Sequence, residues 1–207
     1  MSTTFASAFQ QLPLVAILRG VRPNEVEGIG AVLYEAGFRL IEVPLNSPEP
    51  FESIGRLIRT LPADALVGAG TVLSPEAVGK VHDVGGRLIV MPHADVEVIR
   101  AAKAAGMYCT PGVLTPTEAF AAWKAGADGL KLFPAEMITP LIVRALRAVL
   151  PSELPLLPVG GITPDNMADY RAAGVAGFGL GSALYRPGDD AAQVARNAQR
   201  FVASWQQ

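Results

Sequence analysis

A single cysteine, Cys109, stands in 207 residues. No disulfide can close within such a chain, and the scarcity fits a reducing compartment, so a cytoplasmic location is expected. Histidine is limited to His82 and His93, neither beside a cluster of acidic residues. A catalytic metal site is therefore not expected, nor is any other cofactor. Charge is also sparse: 17 Lys and Arg against 19 Asp and Glu leave a formal charge of −2. That balance lacks the basic footprint of a nucleic-acid binder. No apolar run approaches the length needed to span a membrane. The first one, Leu12 to Leu18, ends at Arg19 and has neither a basic leader nor a small-residue cleavage site. Neither a signal peptide nor a membrane anchor is expected from it.

What the chain does contain is a strong alternation of short apolar runs with longer helical patterns. Eight candidate strands fall at 14–20, 40–45, 66–72, 87–92, 107–112, 129–134, 156–161 and 177–182. The windows between them have the length of crossover helices. Glycines follow the helical windows at Gly37, Gly85, Gly106, Gly126 and Gly174, where helices commonly stop. Ser or Thr followed by Pro opens several windows, at Ser47-Pro48, Ser74-Pro75, Thr115-Pro116, Thr139-Pro140 and Thr163-Pro164. Val194, Ala198, Phe201 and Trp205 give the last window one apolar face. Eight strand–helix units with no break in composition predict one domain, residues 1–207, folded as an α/β (β/α)8 TIM barrel. An open doubly wound sheet is the runner-up, but its glycine-rich turn is missing after the first strand, which ends Leu18-Arg19-Gly20. Parallel strands buried on both faces also account for a hydrophobic content of 50%.

Lysine occurs four times, and three of those sites, Lys80, Lys103 and Lys124, lie in amphipathic helical windows. Lys131 lies in an apolar strand, where a buried ammonium is costly unless it loses its proton or finds a partner. A desolvated amine is a good nucleophile toward a ketone. Strand alternation turns Lys131 and Phe133 inward and leaves Leu130 and Leu132 to the helices. The same alternation turns Glu42 inward between Ile41 and Val43. Arg19 and Thr71 fall at strand ends, on the side where barrels of this kind carry their sites. A carboxylate that relays protons and an arginine that grips a substrate carboxylate complete a coherent set. The competing reading is a buried Lys131–Glu42 ion pair that only fills the barrel. A third charge, Arg19, is a poor way to stabilise a core.

Gly160-Gly161 after the seventh strand and Gly181-Ser182 after the eighth form adjoining turns, a common place for a phosphate in such barrels. Glycine lets the backbone approach the ligand closely. His82 reads as a surface residue, His93 as a loop residue, and Cys109 as packing. Asp128 opens the sixth strand at the end away from the site.

Lys131-Leu132-Phe133-Pro134-Ala135-Glu136 resembles the Schiff-base lysine motif of the 2-keto-3-deoxy-6-phosphogluconate aldolase family. Gly68-Ala69-Gly70-Thr71-Val72 and Gly160-Gly161-Ile162 are similar to its other signatures, and the resemblance runs from about residue 12 to 205. Leu14 to Gly20 and Glu42 to Pro48 look most like the phosphogalactonate-cleaving branch of the family. Asn46 stands where gluconate-type members carry an arginine. The resemblance implies a class I, metal-independent aldehyde-lyase acting on a small sugar-acid phosphate and assembled as a homotrimer. It implies Lys131 as imine-forming nucleophile and Glu42 as acid/base. Arg19 and Thr71 would bind the carboxylate end, Pro92 and Phe133 would shape the pocket, and Gly160, Gly161, Gly181 and Ser182 would hold the phosphate. The phosphogluconate and 4-hydroxy-2-oxoglutarate substrates of the family remain open. So do a different phosphate-binding barrel enzyme and a non-catalytic sugar-phosphate binder. Neither nucleic acid nor a membrane is an expected partner.

Overall fold

The computed structural model describes residues 4–207. Strands and helices alternate as the sequence rhythm predicts, in the order α1 (Phe5–Gln11), β1 (Leu14–Ile17), α2 (Val26–Glu35), β2 (Leu40–Pro44), α3 (Pro50–Thr60), β3 (Leu66–Gly70), α4 (Pro75–Asp83), β4 (Leu88–Val90) and α5 (Val96–Ala104). There follow β5 (Tyr108–Thr110), β6 (Gly112–Val113), α6 (Pro116–Lys124), β7 (Leu130–Leu132), α7 (Pro140–Arg147), β8 (Leu156–Pro158), α8 (Met167–Ala172), β9 (Phe178–Leu180) and α9 (Ala191–Gln206).

The strands are parallel and form a curled, TIM-like α/β fold. Six pair in the order β5-β4-β3-β2-β1-β9 and three in the order β6-β7-β8. A single closed eight-stranded ladder, the expectation from the sequence, is not what the hydrogen bonding gives. The predicted strand 107–112 is split into β5 and β6 at Pro111, which has no N–H to donate. Pro111 still accepts from the Lys131 amide at 2.9 Å. Between β8 and β9 the ladder shrinks to one parallel bridge, Val159 to Gly179.

Alternation within each strand separates two apolar layers. Leu14, Ala16, Ile41, Val43, Val67, Ala69, Leu130 and Leu132 pack with the helices in the larger cluster. Val15, Leu40, Leu66, Leu88, Val90 and Leu157 face the other way and pack on Phe5 and Ala8 of α1. Leu40, Leu66 and Leu88 begin their strands, so α1 covers the strand N-terminal ends and leaves the C-terminal ends open. The strand reading did not anticipate α1. Its Thr4–Ser7 capping box satisfies the first turn, a pattern that reads locally as a polar loop.

Helix punctuation holds at most positions. Gly37, Gly85, Gly106, Gly126 and Gly174 all have positive φ. Ser74 and Thr115 cap α4 and α6 through their side chains. Ser47-Pro48 and Thr163-Pro164 do not open helices directly: α3 starts at Pro50 after Glu49, and α8 at Met167 after Asn166. Among the described residues, no helix is long and apolar enough to cross a membrane.

Candidate active site

Lys131 is the middle residue of β7, in register with Gly112 on one side and Leu157 on the other. Leu130 and Leu132 are fully buried against the helices, and burying a leucine contributes about 1.5–3 kcal/mol. Those two side chains hold the strand while Lys131 points the opposite way, 6% exposed. Its Nζ lies 4.6 Å from the centre of the Phe133 ring, two residues along on the same face.

Glu42 occupies the middle of β2, in register with Ile17 and Gly68, and is 1% exposed. Its carboxylate lies over Gly70, where any Cβ would collide with it. Oε2 is buried without a hydrogen-bond partner. Among the described residues Glu42 and Lys131 make neither a hydrogen bond nor an ion pair within 4.0 Å, so the space-filling ion pair is not formed.

Burial pushes the Glu42 carboxyl up to about 7, against the opposing pull of the Lys131 and Arg19 charges. Burial likewise lowers the Lys131 amine; Glu42 resists this and Arg19 adds to it. Both groups are driven toward their neutral forms, a pattern concentrated at reactive centres.

Arg19 follows β1 and is exposed. Its Nη1 donates to Asn46 Oδ1 at 2.6 Å, and Nη2 reaches Thr71 Oγ1 at 3.5 Å. The next amide, Gly20 N–H, donates to the buried Ser47 hydroxyl at 2.9 Å, so one turn after β2 orients both residues. Thr71 has φ of 55°, a left-handed conformation uncommon for a β-branched residue.

Arg19, Lys131 and Phe133 line one cavity of about 290 Å³ with Gly160, Gly161, Gly181 and Ser182. Ile17, Val159, Ile162, Thr163, Gly179, Ala183 and Arg186 complete its wall. The two glycine turns thus share a cavity with the lysine. Glu42 and Thr71 are not among its lining residues; Glu42 connects through the fields it shares with Lys131 and Arg19, and Thr71 through the Arg19 contact. Pro92 is half-buried after β4, with its backbone against Gly112, and does not line the cavity. His93 is exposed outside it, and His82 is an exposed residue of α4. Cys109 is buried beside Met91, and burial pushes its thiol up to about 12, which leaves it inert. Period-two alternation could have pointed to Ile17 and Val159. Arg186, four residues beyond Ser182, carried no signal beyond its charge.

The model of the family described as KDPG and KHG aldolase matches residues 5–196. The chain belongs to that family. It is an aldehyde-lyase. A probable 2-dehydro-3-deoxy-6-phosphogalactonate aldolase of Rhizobium meliloti (strain 1021) is 51% identical over 193 residues, covering 93% of this chain and 91% of the relative. The 2-dehydro-3-deoxy-6-phosphogalactonate aldolase of Escherichia coli (strain K12) is 47% identical, covering 95% and 96%. A solved structure described as native KDPGal superposes with a TM-score of 0.93 at 46% identity, covering 95% of each chain.

Proposed function

We propose that the chain cleaves 2-dehydro-3-deoxy-6-phosphogalactonate to pyruvate and D-glyceraldehyde 3-phosphate through an imine on Lys131, without a metal. The observation that carries this reading is a buried lysine, held below its ordinary pKa, in one cavity with an arginine and two glycine turns. Neutral Lys131 attacks the C2 ketone, and a proton from the Glu42 carboxyl lets the C2 hydroxyl leave as water, giving a protonated imine and the Glu42 carboxylate. Glu42 takes the C4 hydroxyl proton, the C3–C4 bond breaks, and its electron pair flows into the imine as an enamine. The aldehyde departs; a proton returns to C3, and water hydrolyses the imine to pyruvate and free lysine. A carboxyl near 7 can accept and return a proton close to neutral pH.

Arg19, with Thr71 beside it, suits the carboxylate end. Phe133 walls the pocket beside the lysine, and Pro92 shapes it only through the neighbouring strand. Gly160, Gly161, Gly181 and Ser182 suit the phosphate: the amides of Gly161 and Ser182 have no acceptor among the described residues. The galactonate epimer is preferred over the gluconate one because Asn46 stands beside Arg19, where the gluconate-type pattern has a second cation.

The Val159–Gly179 bridge and the Lys131–Pro111 hydrogen bond support one domain in which the two sheets close into a ring of eight strands. Exposed Met137, Leu141 and Ile142 beside and on α7 support a homotrimer, checked by its mass in solution. A cytoplasmic location fits the single buried cysteine, Cys109, and the metabolic substrate.

Borohydride added with pyruvate should leave a fixed mass increase on the peptide that carries Lys131. Active protein with no such adduct would overturn the imine. Cleavage of the phosphogalactonate keto acid should exceed that of the gluconate epimer and should survive a strong chelator. A reversed preference would overturn the substrate assignment.

A further inference from the structure

We propose that Arg186 grips the phosphate of the substrate and sets the preference for phosphorylated over unphosphorylated keto acids. The inference rests on the phosphate reading above and adds a cation to it. Arg186 lines the same cavity as Lys131, Gly160 and Gly161. Its Nε donates to the Ser182 carbonyl at 2.9 Å, which ties the guanidinium to the Gly181-Ser182 turn. The turn itself is fixed, because Leu184 N–H and Tyr185 N–H both donate to the Gly181 carbonyl. Beyond it, the Arg186 amide donates to Asp189 Oδ2 at 2.8 Å. The arginine is therefore held by its backbone and by Nε, leaving both terminal nitrogens uncommitted. Among the described residues none of its guanidinium nitrogens lies within 4.0 Å of a carboxylate.

Electrostatics supplies the reason a cation is needed at this end. The Glu136 carboxylate packs against the flank of Gly160 and Gly161, where a side chain on either glycine would meet it. A negative group beside this turn opposes a phosphate dianion, so backbone amides alone make a weakened cradle. Lys131 is committed to the ketone and Arg19 is held toward the carboxylate end by Asn46. Arg186 is the remaining cation on the cavity wall. Two free guanidinium N–H edges suit the bidentate recognition that phosphate oxygens accept.

The experiment compares the phosphorylated substrate with its unphosphorylated keto acid in the wild type, in R186Q and in R186K. In R186Q the KM for the phosphorylated substrate should rise about 10- to 100-fold, the loss expected for one charged hydrogen-bonded contact. Its kcat should stay within about threefold, pyruvate trapping on Lys131 should be unchanged, and kinetics on the unphosphorylated acid should not move. Inorganic phosphate, used as a competitive inhibitor, should bind R186Q more weakly by a similar factor. R186K should recover part of each loss. An R186Q variant with the wild-type preference and wild-type phosphate inhibition would overturn the proposal. So would equal losses on both substrates, which would mark Arg186 as merely structural. A wild type indifferent to the phosphate would instead remove the phosphate reading itself, and the inference with it.

Discussion

Arg19 Nη1 donates to Asn46 Oδ1 at 2.6 Å, so this cation of the cavity wall is aimed by a neutral amide from the turn after β2. Thr71 reaches the same guanidinium at 3.5 Å, too long to hold it unaided. N46A should free an exposed arginine without unsettling the core. Substrate KM should rise about tenfold, the effect of losing one hydrogen bond to a charged group. Pyruvate should weaken in parallel as a competitive ligand, because the proposed role of Arg19 is to meet its carboxylate. Unchanged pyruvate binding in N46A would separate Asn46 from the carboxylate end.

In the proposed mechanism Glu42 carries the pH dependence. With its carboxyl near 7, kcat/KM should climb as pH rises through neutrality, and E42Q should lose that limb along with most of its turnover. Stability should run the other way. The folded-state pKa of about 7 exceeds the ordinary 4.5, so between these values the folded protein binds more protons than the unfolded one. Stability therefore falls as pH rises across that window, by up to about 3 kcal/mol for a gap of 2.5 units. Denaturant unfolding at pH 5 and pH 8 reads the difference. E42Q should flatten it, and an equally steep decline in E42Q would assign the effect to another group.

Much of this site was legible because a strand has a period of two. Lys131 between Leu130 and Leu132, and Glu42 between Ile41 and Val43, had one inward direction each once the helices claimed the apolar faces. Strand starts such as Leu40 and Leu66 matched their predicted positions. Ends did not: the ladder stops at Ile17 and Gly70, and Arg19 and Thr71 lie beyond it. Their geometry is set by Asn46 and by a positive φ, neither of which hydrophobic pattern records. Pro111 could have announced the break between β5 and β6. Arg186 could not be placed without the fold, since its value depends on which cavity the Gly181-Ser182 turn faces.

Gly70 is a residue whose side chain would harm chemistry rather than folding. A Cβ there would strike the Glu42 carboxylate, and Gly70 is not among the positive-φ glycines, so alanine meets no backbone strain. G70A should displace the carboxylate and slow cleavage by about 100-fold, as small misplacements of a reacting group do. Pyruvate trapping on Lys131 should persist, because imine formation does not need the C4 base. Loss of trapping together with cleavage would mean that the collision is relieved through β7 as well.

The opposite end of the strands supplies a contrast in which stability moves and catalysis does not. Asp128 precedes β7 and accepts from Lys103 Nζ at 2.7 and 2.9 Å and from the Cys109 amide at 2.8 Å. The pair is partly exposed, with side-chain exposures of 33% for Lys103 and 22% for Asp128, so the ion pair itself contributes about 0.2–1 kcal/mol. The larger effect is the Cys109 amide, which loses its acceptor when the carboxylate is removed. D128N can still accept from that amide and should lose only the smaller amount. D128A strands it and should cost about 1–3 kcal/mol, a melting shift of roughly 3–10 °C in a chain of this length. Both variants should keep kcat/KM within about twofold, because Lys131, at the centre of β7, is held by the outward leucines rather than by the strand's first turn. A D128N variant that melted normally but cleaved poorly would connect the closed end of the fold to the reacting lysine and undo the separation between them.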